Sequence, residues 1–219
     1  MKETIFIPET LKDLRLDQYQ KWLKLVNDNE PSDFVNQKTI EIFCDIELPN
    51  VAKISYKSIA EILDHINKLF DSKPKFVQRF KIGGKEFGFI PDMENMTFGE
   101  FSDLEKYLKT PETFHKAMAV MYRPITNKFR DMYDIEPYDG SDKYSGVLHY
   151  ATLDVVLGSV VFFYDLLKEL SKDTMDYLAE FPMTAEMEST INLIKNMIGT
   201  HLFTDWRKEM YFDLRLLAN

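Results

Sequence analysis

The sequence predicts a mainly α-helical chain with one small β-hairpin, an α+β fold whose bundle-like core surrounds a central apolar helix. Three observations predict it. Apolar residues recur at helical spacing over most of the 219 residues. Only 8 residues are glycine, about half the usual share of ~7%. Alternating apolar and charged residues flank the pair Gly83-Gly84. The 45% hydrophobic content is enough for one core, so we expect a single domain over residues 1–219.

The first 70 residues predict a short strand followed by three helices. Ile5 and Ile7 form the expected strand, which Pro8 ends. Asp17 is the predicted N-cap of the first helix, and Ser58 is the predicted N-cap of the third. That third helix, ending near residue 70, has the clearest i, i+3, i+4 apolar spacing in this half of the chain.

The predicted hairpin lies at about residues 75–90. Its apolar positions on either side of the turn are Phe76, Phe80, Ile82, Phe87 and Phe89. Two consecutive glycines suit a tight primed turn, which needs positive φ at both central residues. An isolated hairpin is only marginally stable in water. Its aromatic face is therefore expected to lie against the helices or against a partner.

Two more helices are expected before a long loop. Thr97 with Glu100 three residues later is a capping box that begins one helix. Thr110-Pro111 begins the next, which Pro124 is expected to stop at about residue 123. A long acidic loop is then expected from about residue 127 to about residue 150.

The central helix is predicted from Thr152 to about Leu170, and the chain is expected to continue as helix over Ser171–Phe181, after a kink. Its apolar run, Val155–Tyr164, would rise only ~15 Å, half of a ~30 Å bilayer core, which favours a buried helix over a membrane span. No signal peptide is expected either. The predicted centre of the core is Val156, Leu157, Val160, Val161 and Phe163.

The acidic loop is the first candidate for chemistry. Its five carboxylates are Asp131, Asp134, Glu136, Asp139 and Asp142. Carboxylates at this density can hold a divalent cation, but their spacing misses the EF-hand pattern. We favour the alternative, an interface loop that uses its tyrosines and one of its acids: Tyr133, Tyr138, Asp139 and Tyr144.

The residues that could catalyse a reaction are scattered. The four histidines, His65, His115, His149 and His201, are far apart in sequence. Cys44 lies in an apolar stretch and is expected to be an inert core thiol. Gly83-Gly84-Lys85 lacks the upstream glycine and the Ser/Thr of a P-loop. The sequence therefore predicts that the protein is not an enzyme and has no catalytic, cofactor-binding or metal-binding residues. A nuclease or another enzyme is kept as a third hypothesis, after the two assembly roles described below.

Charge sets limits on nucleic-acid binding. The formal net charge of −9 argues against a protein that coats nucleic acid. One basic strand face stands out against it: Lys73, Lys75, Arg79, Lys81 and Lys85. This face could contact phosphates, but the solvated outer side of a half-buried hairpin needs polar residues anyway, and we favour that interpretation.

The abundance of aromatic residues and methionine indicates an assembly protein. The chain has 17 Phe, 11 Tyr, 2 Trp and 11 Met, and these types are enriched at interface cores. Besides the loop, the expected intersubunit contacts are the hairpin turn and the apolar C-terminal segment: Gly83, Gly84, Phe203, Trp206 and Tyr211.

Three stretches together resemble a known family. They are Lys85–Pro91 leading into Thr97–Phe101, then Met121–Ile125, and then Leu153–Gly158 with Phe162–Tyr164. The set resembles proteins of the structural and assembly modules of tailed bacteriophages, including the ring (connector) proteins of crAss-like phages, and it covers roughly residues 76–170.

The resemblance implies a virion structural protein assembled in the host cytoplasm. Within it we favour a head–tail connector or ring component, a cyclic homo-oligomer that contacts portal, neighbouring ring or tail proteins and lies close to packaged DNA. The alternative is a tail-assembly chaperone that is absent from the mature particle. The family's motifs carry no known chemistry, so no catalytic residue, cofactor or membrane contact is implied.

Overall fold

A computed structural model describes residues 5–93 and 95–179, and it confirms a mainly helical α+β fold. The α-helices of this part of the chain are α1 (Leu16–Asp28), α2 (Asp33–Cys44), α3 (Leu48–Val51), α4 (Tyr56–Phe70), α5 (Phe98–Tyr107), α6 (Phe114–Met121), α7 (Asp142–Leu148) and α8 (Leu153–Ala179). The strands are β1 (Arg79–Ile82), β2 (Lys85–Phe89), β3 (Tyr122–Phe129) and β4 (Met132–Ile135).

The four strands form one antiparallel meander in the order β1-β2-β3-β4. Strands β1 and β2 are the predicted hairpin, with Phe80 opposite Phe87. Gly83 and Gly84 both have positive φ, 56° and 75°, as a primed turn requires. The hairpin continues into β3 through the pair Phe89 and Tyr122.

The prediction of a long loop over residues 127–150 is wrong, because most of that stretch is regular structure. β3 begins directly after α6 and pairs with β4 across a tight turn, and α7 follows. The turn places Arg130 in the left-handed region at φ 56°. A β-turn with a residue in this conformation usually contains Gly or Asn at that position. Because the residue here is an arginine, the sequence does not predict the turn.

Three local predictions in the first 60 residues are also wrong. Ile5 and Ile7 do not form a strand. Helix α1 begins at Leu16, so Asp17 lies inside its first turn, where its carboxylate accepts a hydrogen bond of 2.9 Å from Arg15 Nε. Helix α4 is capped by Ser55, whose hydroxyl oxygen accepts from the backbone N–H of Ser58. In α4 a second serine, three residues earlier, takes the cap, whereas the N-cap residue of α1, Arg15, accepts no hydrogen bond through its side chain.

Helix α8 supplies much of the core, as predicted. Val156 and Val160 are fully buried, and Leu157 and Phe163 are nearly so, whereas Val161 is only partly buried. The helix also continues beyond residue 170, to Ala179. No helix among the described residues is long and apolar enough to span a membrane.

The aromatic face of the first hairpin packs on the chain's own helices. Phe76, which precedes β1, stacks on Phe162 of α8 with ring centroids 4.1 Å apart. Phe89 of β2 meets both rings edge-on, at 4.9 and 5.5 Å. A Cβ on Gly158 would lie 2.4 Å from the carbonyl oxygen of Lys75, so glycine is required where the chain before β1 crosses α8. Helix α8 therefore fixes the position of the sheet.

Cys44 lies at the end of α2, inside the core, and burial raises the pKa of its thiol to about 11. We expect the native protein to react with a thiol reagent at mildly alkaline pH about a hundredfold more slowly than an ordinary exposed cysteine, because the thiolate is the reactive form. Reaction rates measured with and without denaturant check this. Equal rates in the two conditions would contradict the burial of Cys44.

Candidate assembly surface

The β3–β4 hairpin presents the most exposed apolar tip in the described sheet. Residues 126–132 are all exposed. Phe129 and Met132 are directly opposite each other in the register and are 63% and 68% exposed. Directly paired residues share one face of a hairpin, so the two side chains form one apolar surface. Such a surface suits contact with another protein.

Tyr133 anchors the base of this hairpin. The register shifts between Ile125 and Asn127, where an irregularity interrupts the ladder. The ring of Tyr133 lies across Gly88, where a Cβ would be 2.3 Å from a ring carbon, and its hydroxyl donates to the carbonyl of Phe89 at 2.7 Å. Tyr133, predicted at an interface, is thus 6% exposed and is used inside the chain.

A buried ion pair ties β3 to α5. The guanidinium of Arg123 donates to the carboxylate of Glu100, and the two residues are 7% and 4% exposed. Glu100 also accepts from the hydroxyl and the N–H of Thr97, which completes the predicted capping box. Burial alone would raise the pKa of Glu100, but the hydrogen bonds from Thr97 and Arg123 outweigh it and the pKa is lowered. Glu100 is therefore held as a carboxylate.

The other two predicted tyrosines also have partners in the chain. The hydroxyl of Tyr138 donates to Asp103 of α5, and burial followed by this carboxylate raises its pKa. The ring of Tyr144 meets Phe87 edge-on at 5.5 Å, and its hydroxyl donates to Glu136 at 2.6 Å. Both residues are only partly buried, so each keeps some surface.

The remaining predicted interface residues divide into three groups. Asp139 is exposed. Gly83 and Gly84 are exposed at the turn, but a Cβ on Gly83 would lie 2.9 Å from the side chain of Val147, so the turn lies close to α7. Phe203, Trp206 and Tyr211 lie outside the described residues.

The five acidic residues of the predicted loop are spread from the turn before β4, through β4, to the first residue of α7. Glu136 pairs with Lys143 at 2.7 Å, and Asp142 pairs with Lys116 at 3.2 Å. The other three are exposed and form no ion pair with the described part of the chain: Asp131, Asp134 and Asp139. Within residues 5–93 and 95–179 no group of three or more His, Cys, Asp or Glu side chains is placed to hold a metal ion.

The basic residues near β1 form a second charged group. Four of them are exposed: Lys73, Lys75, Lys81 and Lys85. The fifth, Arg79, is partly buried, and its guanidinium lies 5.7 Å from the centre of the Tyr133 ring. Phe80, between two of these cations, packs inward against Phe87 and Tyr122. The aromatic rings that suggested base stacking are therefore turned into the core.

The fold brings together two histidines that no sequence pattern connects. The rings of His115 in α6 and His149 after α7 lie 4.9 Å apart. Gln20 of α1 places its amide nitrogen 3.3 Å from Nδ1 of His115. Burial, followed by the neighbouring His149 and Lys116, lowers the pKa of His115. No sequence signal could have found the pair, because the two residues meet only when α6 packs on α7.

This pair predicts a loss of stability in mild acid. The pKa of His115 is below 6.5 in the folded state. At pH values between this lowered pKa and 6.5, the unfolded chain therefore binds more protons than the folded chain does. The free energy of unfolding should fall as pH drops through 6.5 and level off below the folded pKa. Urea unfolding of the wild type and of His115→Gln between about pH 8 and pH 5 measures the difference. A parallel pH dependence in the two proteins would contradict the prediction, and His149→Gln should weaken the effect only partly.

No protein-family model, curated protein or solved structure matches this chain.

Proposed function

We propose that this protein is a structural component of a tailed-bacteriophage virion, a head–tail connector or ring component that joins portal and tail through protein–protein contacts. The observation that carries the assembly role is the exposed tip of the β3–β4 hairpin, with Phe129 and Met132 side by side. The phage assignment comes from the sequence resemblance over roughly residues 76–170. Portal, neighbouring ring and tail proteins are the proposed partners.

The hairpin is a suitable docking element because its base is held by contacts with the rest of the fold and its tip is not covered by the described chain. Tyr133 and the Arg123–Glu100 pair hold the base against β2 and α5. A docking element that is already ordered loses less conformational entropy on binding. An aromatic residue and a methionine at its tip are the types enriched where interfaces are driest.

Quantitative mass spectrometry of purified virions tests this function. A connector is expected in every particle at a fixed copy number relative to the portal protein. Phe129→Ser with Met132→Ser should sharply reduce incorporation into particles, whereas Tyr56→Ser with Phe98→Ser should not. The control residues are 80% and 86% exposed but lie on α4 and α5.

The outcomes separate the hypotheses. If the protein is absent from particles but binds tail proteins in infected cells, it is a tail-assembly chaperone. If it is absent from particles and binds no phage structural protein, the proposed function is wrong.

A further inference from the structure

Among residues 5–93 and 95–179, the sheet has two edges on which no further strand lies. Strands β1 and β4 are its outermost strands, and each is four residues long. Within the described chain neither has a backbone hydrogen-bond partner beyond its one neighbour in the meander. An open edge presents unpaired N–H and C=O groups that can pair with a further strand.

The two edges carry opposite charge. Residues 72–82, which lead into and include β1, contain four Lys or Arg residues and no Asp or Glu. Residues 131–139, which include β4, contain four Asp or Glu residues and no Lys or Arg. The side chains that the structure leaves without an ion pair among the described residues include Lys81 in β1 and Lys75 before it, and Asp134 in β4 and Asp131 in the turn before it.

We propose that copies of this chain associate head to tail, with the acidic β4 edge of one copy against the basic β1 edge of the next. The inference rests on the proposed function, for which it names the contact between neighbouring subunits. Like edges repel each other and unlike edges attract, so the charges select the head-to-tail contact over a two-fold symmetric one. Head-to-tail contacts are those that close into rings.

Strand direction agrees with this arrangement. An antiparallel meander of four strands has edge strands that run in opposite directions. A second copy in the same orientation therefore presents its β1 antiparallel to β4 of the first. The ladder can continue from copy to copy without inverting a subunit, as cyclic symmetry requires. Phe129 and Met132 lie next to the β4 edge and would add apolar contact there.

The lysines at β1 have a simpler explanation, which the experiment must exclude. Lysine on an edge strand protects a monomer from aggregation. That explanation accounts for the cations on one edge. Acids would protect the opposite edge in the same way, but this explanation does not require the two edges to carry charges of opposite sign.

Charge reversal tests the contact. The variants are Lys75→Glu with Lys81→Glu, which reverses two of the cations at the β1 edge, and Asp131→Lys with Asp134→Lys, which reverses two of the acids at the β4 edge. All four side chains are exposed, so both proteins should fold, which circular dichroism checks. Native mass spectrometry and sedimentation measure self-association over a range of protein and salt concentrations. Lys12→Glu with Lys57→Glu, two exposed lysines outside the sheet, is the matched control.

The wild type and the control should self-associate, less strongly at high salt, and each reversed variant should associate about tenfold more weakly or worse. Mixing the two reversed variants should restore association, because each edge then meets an opposite charge, and the oligomers should contain both variants in equal numbers. A wild type that stays monomeric, or reversed variants that associate as the wild type does, would overturn the proposal. A protein that is present in virions but fails this test keeps the proposed function and loses only this contact.

Discussion

Val160→Asp is expected to unfold the protein. Val160 lies in α8 and is a fully buried member of the hydrophobic core. An aspartate there leaves a charge without a partner or forces a proton onto it, and either outcome costs several kcal/mol. A domain's total stability is only about 5–15 kcal/mol, so most or all of it would be lost. Loss of the cooperative thermal transition, followed by circular dichroism, is the measurement.

Lys168→Asp is the matched control for this substitution. Lys168 lies in the same helix, and its side chain is exposed. A new aspartate there meets water, so the melting temperature should change little. If Val160→Asp melts cooperatively at the temperature of the wild type, α8 is not the centre of the core.

Glu100→Ala is expected to destabilise the fold by about 3–5 kcal/mol, because it leaves the buried guanidinium of Arg123 without its carboxylate. The substitution also removes half of the capping box that begins α5. Thr97→Ala, which removes only the cap, should cost about 1 kcal/mol. The free energy of unfolding in urea compares the two variants.

Two further measurements separate the ion pair from a simple loss of packing. Glu100→Leu combined with Arg123→Met should be less destabilising than the sum of the single substitutions, since removal of both charges leaves no unpaired one. The pKa of Glu100 is below 4.5 in the folded state, so its contribution to stability is present above pH 4.5 and is lost as pH falls through the folded pKa. Glu100→Ala should lack that acid-dependent loss. Additive substitutions and an unchanged acid profile would contradict the role of the pair.

The base of the hairpin connects these stability predictions with the proposed function. Arg123 belongs to β3, whose far end carries Phe129. Weakening of the Glu100–Arg123 pair should therefore loosen the β3–β4 hairpin, and Glu100→Ala is expected to lower incorporation into particles even at temperatures where the chain is still folded.

Local sequence determined the elements whose signals lie within a few residues. Gly83-Gly84 predicted the first hairpin because few residues other than glycine adopt positive φ readily. Thr97 and Glu100 predicted the start of α5 because both hydrogen bonds of a capping box lie within one turn. The apolar run between Asp154 and Asp165 predicted a buried helix, because a stretch that is apolar on all sides must be covered on all sides.

Only the tertiary structure decided what depends on residues far apart in the chain. Arg130 takes a left-handed conformation because β3 and β4 pair. An arginine is not a turn signal, so the sequence does not predict the second hairpin. Tyr133 fits the sequence pattern of an exposed interface residue, but the glycine at position 88 gives its ring a buried place. The basic and acidic segments were both visible in the sequence. Their positions on opposite edges of one sheet follow from the strand order, because the pairing of β2 with β3 joins residues more than 30 positions apart, such as Phe89 and Tyr122, a separation that no local pattern encodes.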